Sequence, residues 1–151
     1  MSITGYESEH KPVVSTWLVV VVVTLALAGV AISGYALYLH YAPATSFCNI
    51  SGWFSCDTVN KGPYSELLGI PVALLGILGY AAVGTLTFLR RFKLAAFAST
   101  AGLLFALYLT SLEAFVIFSF CLVCLASQFV ILVLTILVWF AVRVSGKRRT
   151  K

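Results

Sequence analysis

Between residues 13 and 41 this chain carries no Asp, Glu, Lys or Arg, with His40 near the end of the run. Residues 67–89 are again uncharged, and residues 94–142 hold a single charge, Glu113. A membrane-spanning helix needs about 20 consecutive apolar residues. The first two stretches therefore give one span each, and the third is long enough for two. Only helices or closed barrels satisfy their backbone groups in lipid, and runs such as VVVVVTLALAGVAI lack the alternation of a barrel strand. Hydrophobic residues make up 61% of the chain, charged residues 10%, and mean hydropathy is +1.03. A soluble domain is about half apolar and a quarter charged. This composition leaves too little polar surface to cover a water-soluble fold.

The expected fold class is therefore all-α and integral to a membrane: a four-transmembrane-helix bundle over residues 1–151. Its spans lie near 13–41, 67–89, 94–118 and 120–144, with an outer capping loop at 42–66. The first apolar run exceeds the ~7–15 residues of a signal-peptide core. The preceding MSITGYESEHK carries Glu7 and Glu9 against one Lys, so a permanent span is expected.

Orientation follows from basic residues in short loops. Arg90, Arg91 and Lys93 lie between spans two and three; Arg143, Lys147, Arg148, Arg149 and Lys151 follow span four. Four spans put both groups on one side, the cytoplasm, with both termini. The net charge of +5 then reports topology and contact with anionic lipid, with no nucleic-acid partner required.

This topology gives all four cysteines one address. Cys48 and Cys56 lie in the outer loop, and Cys121 and Cys124 open span four at the same face. That face is the extracytoplasmic or luminal one, where disulfides persist. In SFCLVCLAS, Ser119 is the expected N-cap. The two thiols then sit i, i+3 on one helix face, where free N–H groups favour the reactive thiolate. The C-x7-C loop pair can bridge easily through Gly52, as a redox pair or as a structural staple. Ile50, Trp53 and Phe54 beside it suit the headgroup layer, a cap on the bundle, or a docked partner. Packing alone is the plainer reading of any one cysteine. A zinc site needs spacings closer to the usual knuckles, and no metal is expected.

Glu113 lies eight residues before Cys121, inside span three. Intramembrane carboxylates usually face an interior cavity, as a ligand or proton-path group. The alternative is a protonated side chain bonded to Ser111 or a neighbouring helix. Gln128, i+4 from Cys124, can bond a ligand there or a facing helix. Tyr80 and Tyr108, with Phe115, Phe118 and Phe120, read as packing and interfacial anchors. Gly69, Gly76, Gly79 and Gly84 are expected to let helices approach closely.

The order of these features resembles the vitamin K epoxide reductase family. A C-x7-C loop pair is followed by CDTVNKGPYSELLGIPVALLG, a YLTSLEAFVI helix and a CxxC opening the last span. In the DsbB family of quinone-linked thiol oxidases the CxxC comes first. The resemblance implies a four-helix bundle around a quinone, menaquinone, ubiquinone or a relative. Cys121 and Cys124 match its active-site pair, and Cys48 and Cys56 its shuttle pair. The implied path runs from a separate thioredoxin-like or DsbA-like protein to Cys48, Cys56, Cys121, Cys124 and the quinone. The candidate quinone-binding residues are Gln128, Glu113, Val59, Tyr64, Ile117 and Tyr80. Where vertebrate enzymes carry Tyr four residues after the second active-site cysteine, this chain has Gln128. It has no Asn in GIPVALLG and has Gly62 where many members have Ser or Thr. The pattern is similar to bacterial and archaeal members that make disulfides for exported proteins. An epoxide or quinone reductase, and a non-enzymatic membrane protein with stapling cysteines, are the alternatives.

Overall fold

A computed structural model describes residues 14–43, 48–50 and 53–147. The acidic segment around Glu7 and Glu9, Gly52 and the basic tail from Arg148 lie outside these residues. Four long helices form the body: α1 (Thr16–Tyr41), α3 (Val72–Phe88), α4 (Phe92–Leu112) and α5 (Leu122–Lys147). A short helix, α2 (Cys56–Asn60), lies in the loop after α1, and α4 runs on into a π-helical turn, Glu113–Ile117. Each long helix packs on two others, α1 on α3 and α5, α4 on α3 and α5. The core of Val22, Tyr80, Val83, Leu134 and Val138 fills the space between them.

Among the described residues three helices are long and apolar enough to cross a membrane: Thr16–Tyr41, Phe92–Ile117 and Leu122–Gly146. α3 is apolar but shorter, at 17 residues, or roughly 26 Å at about 1.5 Å per residue. The uncharged run at 67–89 is thus not all helix. Its first residues form an antiparallel hairpin of β1 (Glu66–Leu67) and β2 (Ile70–Pro71). Leu68 and Gly69 link the strands with φ of 56° and 80°, the positive pair that suits a two-residue hairpin loop. Apolar composition cannot separate such a strand from a buried helix turn.

Small residues bring α1 and α3 together. A Cβ at Gly29 would overlap the Tyr80 ring, and one at Gly84 would come within 3.1 Å of the Ala26 Cβ. Gly76 likewise faces Ser33, whereas a Cβ at Gly79 or Gly69 would meet nothing within 4 Å among the described residues, so two of the four expected glycines serve helix approach there. Gly29→Val should therefore force α1 and α3 apart and displace Tyr80. Overpacking of this kind costs about 1–3 kcal/mol. In detergent it should lower the thermal midpoint by several degrees, and a midpoint equal to that of the unsubstituted chain would refute the close contact.

Candidate functional site: a disulfide-capped cavity

The loop after α1 is organised around α2. Ser55 caps this helix, its Oγ accepting from the Thr58 N–H at 3.2 Å. Ser55 Oγ also donates to Asn49 Oδ1 at 2.9 Å, and Asn49 Nδ2 donates to Asp57 at 2.6 Å. These bonds hold Cys48 and Cys56, which are joined as a disulfide. Ile50 and Trp53 stay exposed, while the Phe54 ring packs on Phe120 at 6.2 Å.

A second device aligns this loop with the CxxC segment. The π-helical turn ends at Phe118, in the left-handed region at φ 53°, and the chain reverses into an extended stretch. Phe120 then pairs with Phe54 in a parallel bridge. Its N–H donates to the Trp53 carbonyl at 2.8 Å, and its carbonyl accepts from the Ser55 N–H at 3.2 Å. This register sets Cys56 beside Cys121. Both are fully buried, in one cluster with Leu39.

Because residues 118–120 are taken up by that turn and bridge, Ser119 is not the cap of α5. The helix starts at Leu122, and Cys121 occupies the cap position. Its carbonyl accepts the first helical bond, from Leu125 N–H at 2.9 Å, and its Sγ accepts from the Cys124 N–H at 3.3 Å. The two thiols stay neighbours, as the i, i+3 spacing predicts, although Cys121 lies ahead of the helix and not within its first turn. Cys121 turns toward Cys56, and Cys124 lines a cavity between the helices. The Cys121 thiol, just ahead of α5, is held below the ordinary cysteine value. Its hydrogen bond with Cys124 is the largest cause, and burial opposes it. The Cys124 N–H and the Asn60 amide lower it further, against the charge of Glu113.

Glu113 is buried at the start of the π-helical turn and accepts the Cys121 backbone N–H at 3.1 Å. Ser111, its expected partner, instead donates to the Tyr108 carbonyl. Glu113 thus couples the end of α4 to the start of α5.

The cavity has a volume of about 180 Å³. Gln128, Glu113, Val59, Tyr64, Ile117 and Tyr80 all lie on its wall, as does Cys124. Tyr80 Oη donates to the Ser127 carbonyl at 2.6 Å, which fastens α3 to α5 one turn below Cys124. Thr110 Oγ1 donates to Gln128 Oε1. His40 and Asn60 also face the cavity and escaped the sequence reading. The signal for Asn60 was its i+4 spacing from Cys56; for His40 it was a lone imidazole closing an uncharged run.

Mostly apolar walls carrying a few polar side chains are the usual character of a small-molecule pocket. Cys48 and Cys56 being bonded, Cys121 and Cys124 are the free cysteines. A search among curated proteins returns no match. Residues 20–139, most of the chain, match the vitamin K epoxide reductase family. The chain belongs to that family of quinone-using membrane oxidoreductases.

Proposed function

We propose that this chain is a membrane thiol:quinone oxidoreductase that reoxidises a thioredoxin-like or DsbA-like partner, so that exported proteins acquire disulfides. One observation carries the reading. Cys121 is buried against Cys56 of the bonded loop pair, while Cys124 faces the cavity. Two thiols three residues apart thus meet different reactants.

Each exchange is attack of a thiolate on a disulfide. A thiolate of the reduced partner attacks Cys48, so that a partner–Cys48 mixed disulfide forms and Cys56 leaves as a thiolate; the partner's second thiol then displaces Cys48 as a thiolate, and the partner departs oxidised. Cys56 attacks Cys121 of the oxidised pair: the Cys56–Cys121 bond forms, the Cys121–Cys124 bond breaks, and Cys124 leaves as a thiolate with the electron pair. A bound quinone supplies an acceptor for two electrons and two protons. The chain's part is to hold the Cys124 thiolate at the cavity wall, to keep bulk water out with α2 and the loop, and to offer hydrogen bonds from Gln128 and its neighbours.

This function has a matching topology, with all four long helices crossing the membrane and the cysteines outside. Arg90 supports it: its guanidinium donates to the Val14 carbonyl at 2.8 Å. The start of α1 therefore sits at the same end as the basic turn between α3 and α4, as the positive-inside rule requires of a cytoplasmic face.

Cys56→Ala removes the thiol that resolves Cys48. In cells it should accumulate a mixed disulfide between Cys48 and an oxidised thioredoxin-like protein, seen as a reducible adduct after acid trapping. Absence of any adduct would sink the relay. Assays with menaquinone, ubiquinone and a vitamin K epoxide separate the two enzymatic readings. Comparable turnover of the epoxide would replace disulfide formation with epoxide reduction.

A further inference from the structure

We infer that Asn60 is a positioning residue that receives the Cys121 sulfur as leaving group when the loop disulfide closes, and so sets the direction of the internal exchange. The inference rests on the relay proposed above. Asn60 ends α2, four residues after Cys56, so one helical turn brings its side chain back beneath that cysteine. Its buried amide nitrogen donates to the Cys56 carbonyl at 3.0 Å and to Cys121 Sγ at 3.5 Å. The Asn60 carbonyl accepts from His40 Nδ1 at 2.5 Å, and His40 Nε2 faces Glu66 Oε1 at 3.2 Å. A helix of five residues has little stability of its own. This line of contacts from Glu66 through His40 fixes its last turn from α1 and the hairpin.

Cys121 Sγ thus takes two N–H donors, from Asn60 and from the Cys124 backbone. Both bonds are strongest when the sulfur is a thiolate. In the bridged Cys56–Cys121 species the same atom is a neutral disulfide sulfur and a weak acceptor. The donors therefore favour the free Cys121 thiolate with a closed loop pair. When the Cys48 thiolate attacks Cys56, the Cys48–Cys56 bond forms and the Cys56–Cys121 bond breaks. The electron pair passes to Cys121, where the Asn60 amide already points. The bonding pattern in the structure, loop pair closed and Cys121 free, is the product of that step.

The test uses the full chain carrying Cys124→Ala, in which Cys121 exchanges only with the loop pair and no quinone is involved. After acid quenching and alkylation, mass spectrometry gives the ratio of Cys56–Cys121 to Cys48–Cys56 species. Two donorless substitutions, Asn60→Ala and Asn60→Leu, should each raise that ratio about tenfold, the size of one hydrogen bond to a charged group. The pH midpoint for alkylation of Cys121 should rise with it. In the unsubstituted chain the titratable groups facing that sulfur are Cys124 and Glu113; in this background Glu113 remains, joined by the Cys48 thiol once the bridge has moved to Cys56–Cys121, and both are the same in every variant compared. An unchanged ratio in both variants overturns the proposal. So does a shift in Asn60→Ala that Asn60→Leu restores, because filling space would then be the role. If Asn60→Ala does not accumulate in the membrane, Asn60→Leu decides by the same criterion. Failure of the relay itself looks different: the Cys56–Cys121 species is then absent even with Asn60 in place.

Discussion

Cys124→Ala should lower thiol oxidation coupled to quinone reduction by at least about a thousandfold, the usual scale for losing a reacting nucleophile. The protein should still fold, because Cys124 is only half buried at the cavity wall, where it packs at the edge of the small Leu39–Cys56–Cys121 cluster and outside the main core between the helices. Loss of Cys121 should also stop turnover, but the two variants part company in what they accumulate. Without Cys124, Cys121 can still be bridged to Cys56. Without Cys121, the loop pair can still close but the Cys56–Cys121 bridge cannot form, and Cys124 has lost its disulfide partner. Non-reducing electrophoresis with stopped-flow quinone absorbance distinguishes these outcomes. Substantial quinone reduction by Cys124→Ala, at a tenth of the original rate or more, would show that Cys124 is not the electron donor.

The helices were legible because each stretch of lipid-facing chain excludes charge, and the four cysteines followed from where those stretches end. What was not legible in the CxxC segment was the cap of α5. Placing Cys121 in the cap position needs the left-handed Phe118 and the Phe54–Phe120 bridge. The bridge joins residues far apart in sequence, and no local pattern of Ser, Cys and apolar residues encodes that pairing. A local rule chose Ser119 as cap because serine is a good one. The backbone bonds to the loop outweighed that preference. The hairpin at 66–71 was hidden for a different reason. Its leucines and isoleucine match those of the following helix, and only Leu68-Gly69 and Pro71 mark the turn. The six residues named for the pocket all line the cavity, and for Gln128 the i+4 spacing from Cys124 was enough to place it there. What spacing could not supply was the hydrogen-bond partner of each. Thr110 meets Gln128 from another helix, and His40 meets Asn60 across the loop.

Glu113 is the residue whose role depends most on that tertiary arrangement. It sits 3% exposed with its carboxylate on the Cys121 N–H. Glu113→Leu keeps the apolar volume but removes the acceptor, leaving a buried backbone N–H at the head of α5 unpaired. Such a loss costs about 1–3 kcal/mol. The larger effect should fall on chemistry. That bond fixes where Cys121 points, and a displacement near 1 Å in a reacting group can cost about a hundredfold in rate. Turnover should therefore fall by roughly that factor, with slower exchange between Cys56 and Cys121 as the cause. Glu113→Gln retains a carbonyl acceptor at nearly the same place and should recover most of the exchange rate, to within about fivefold of the original if a neutral hydrogen bond positions as well as a charged one. The comparison separates position from charge. If Gln fails as badly as Leu while the bundle remains as stable as before, the carboxylate acts on the thiols by its charge or its proton and not by holding the Cys121 backbone.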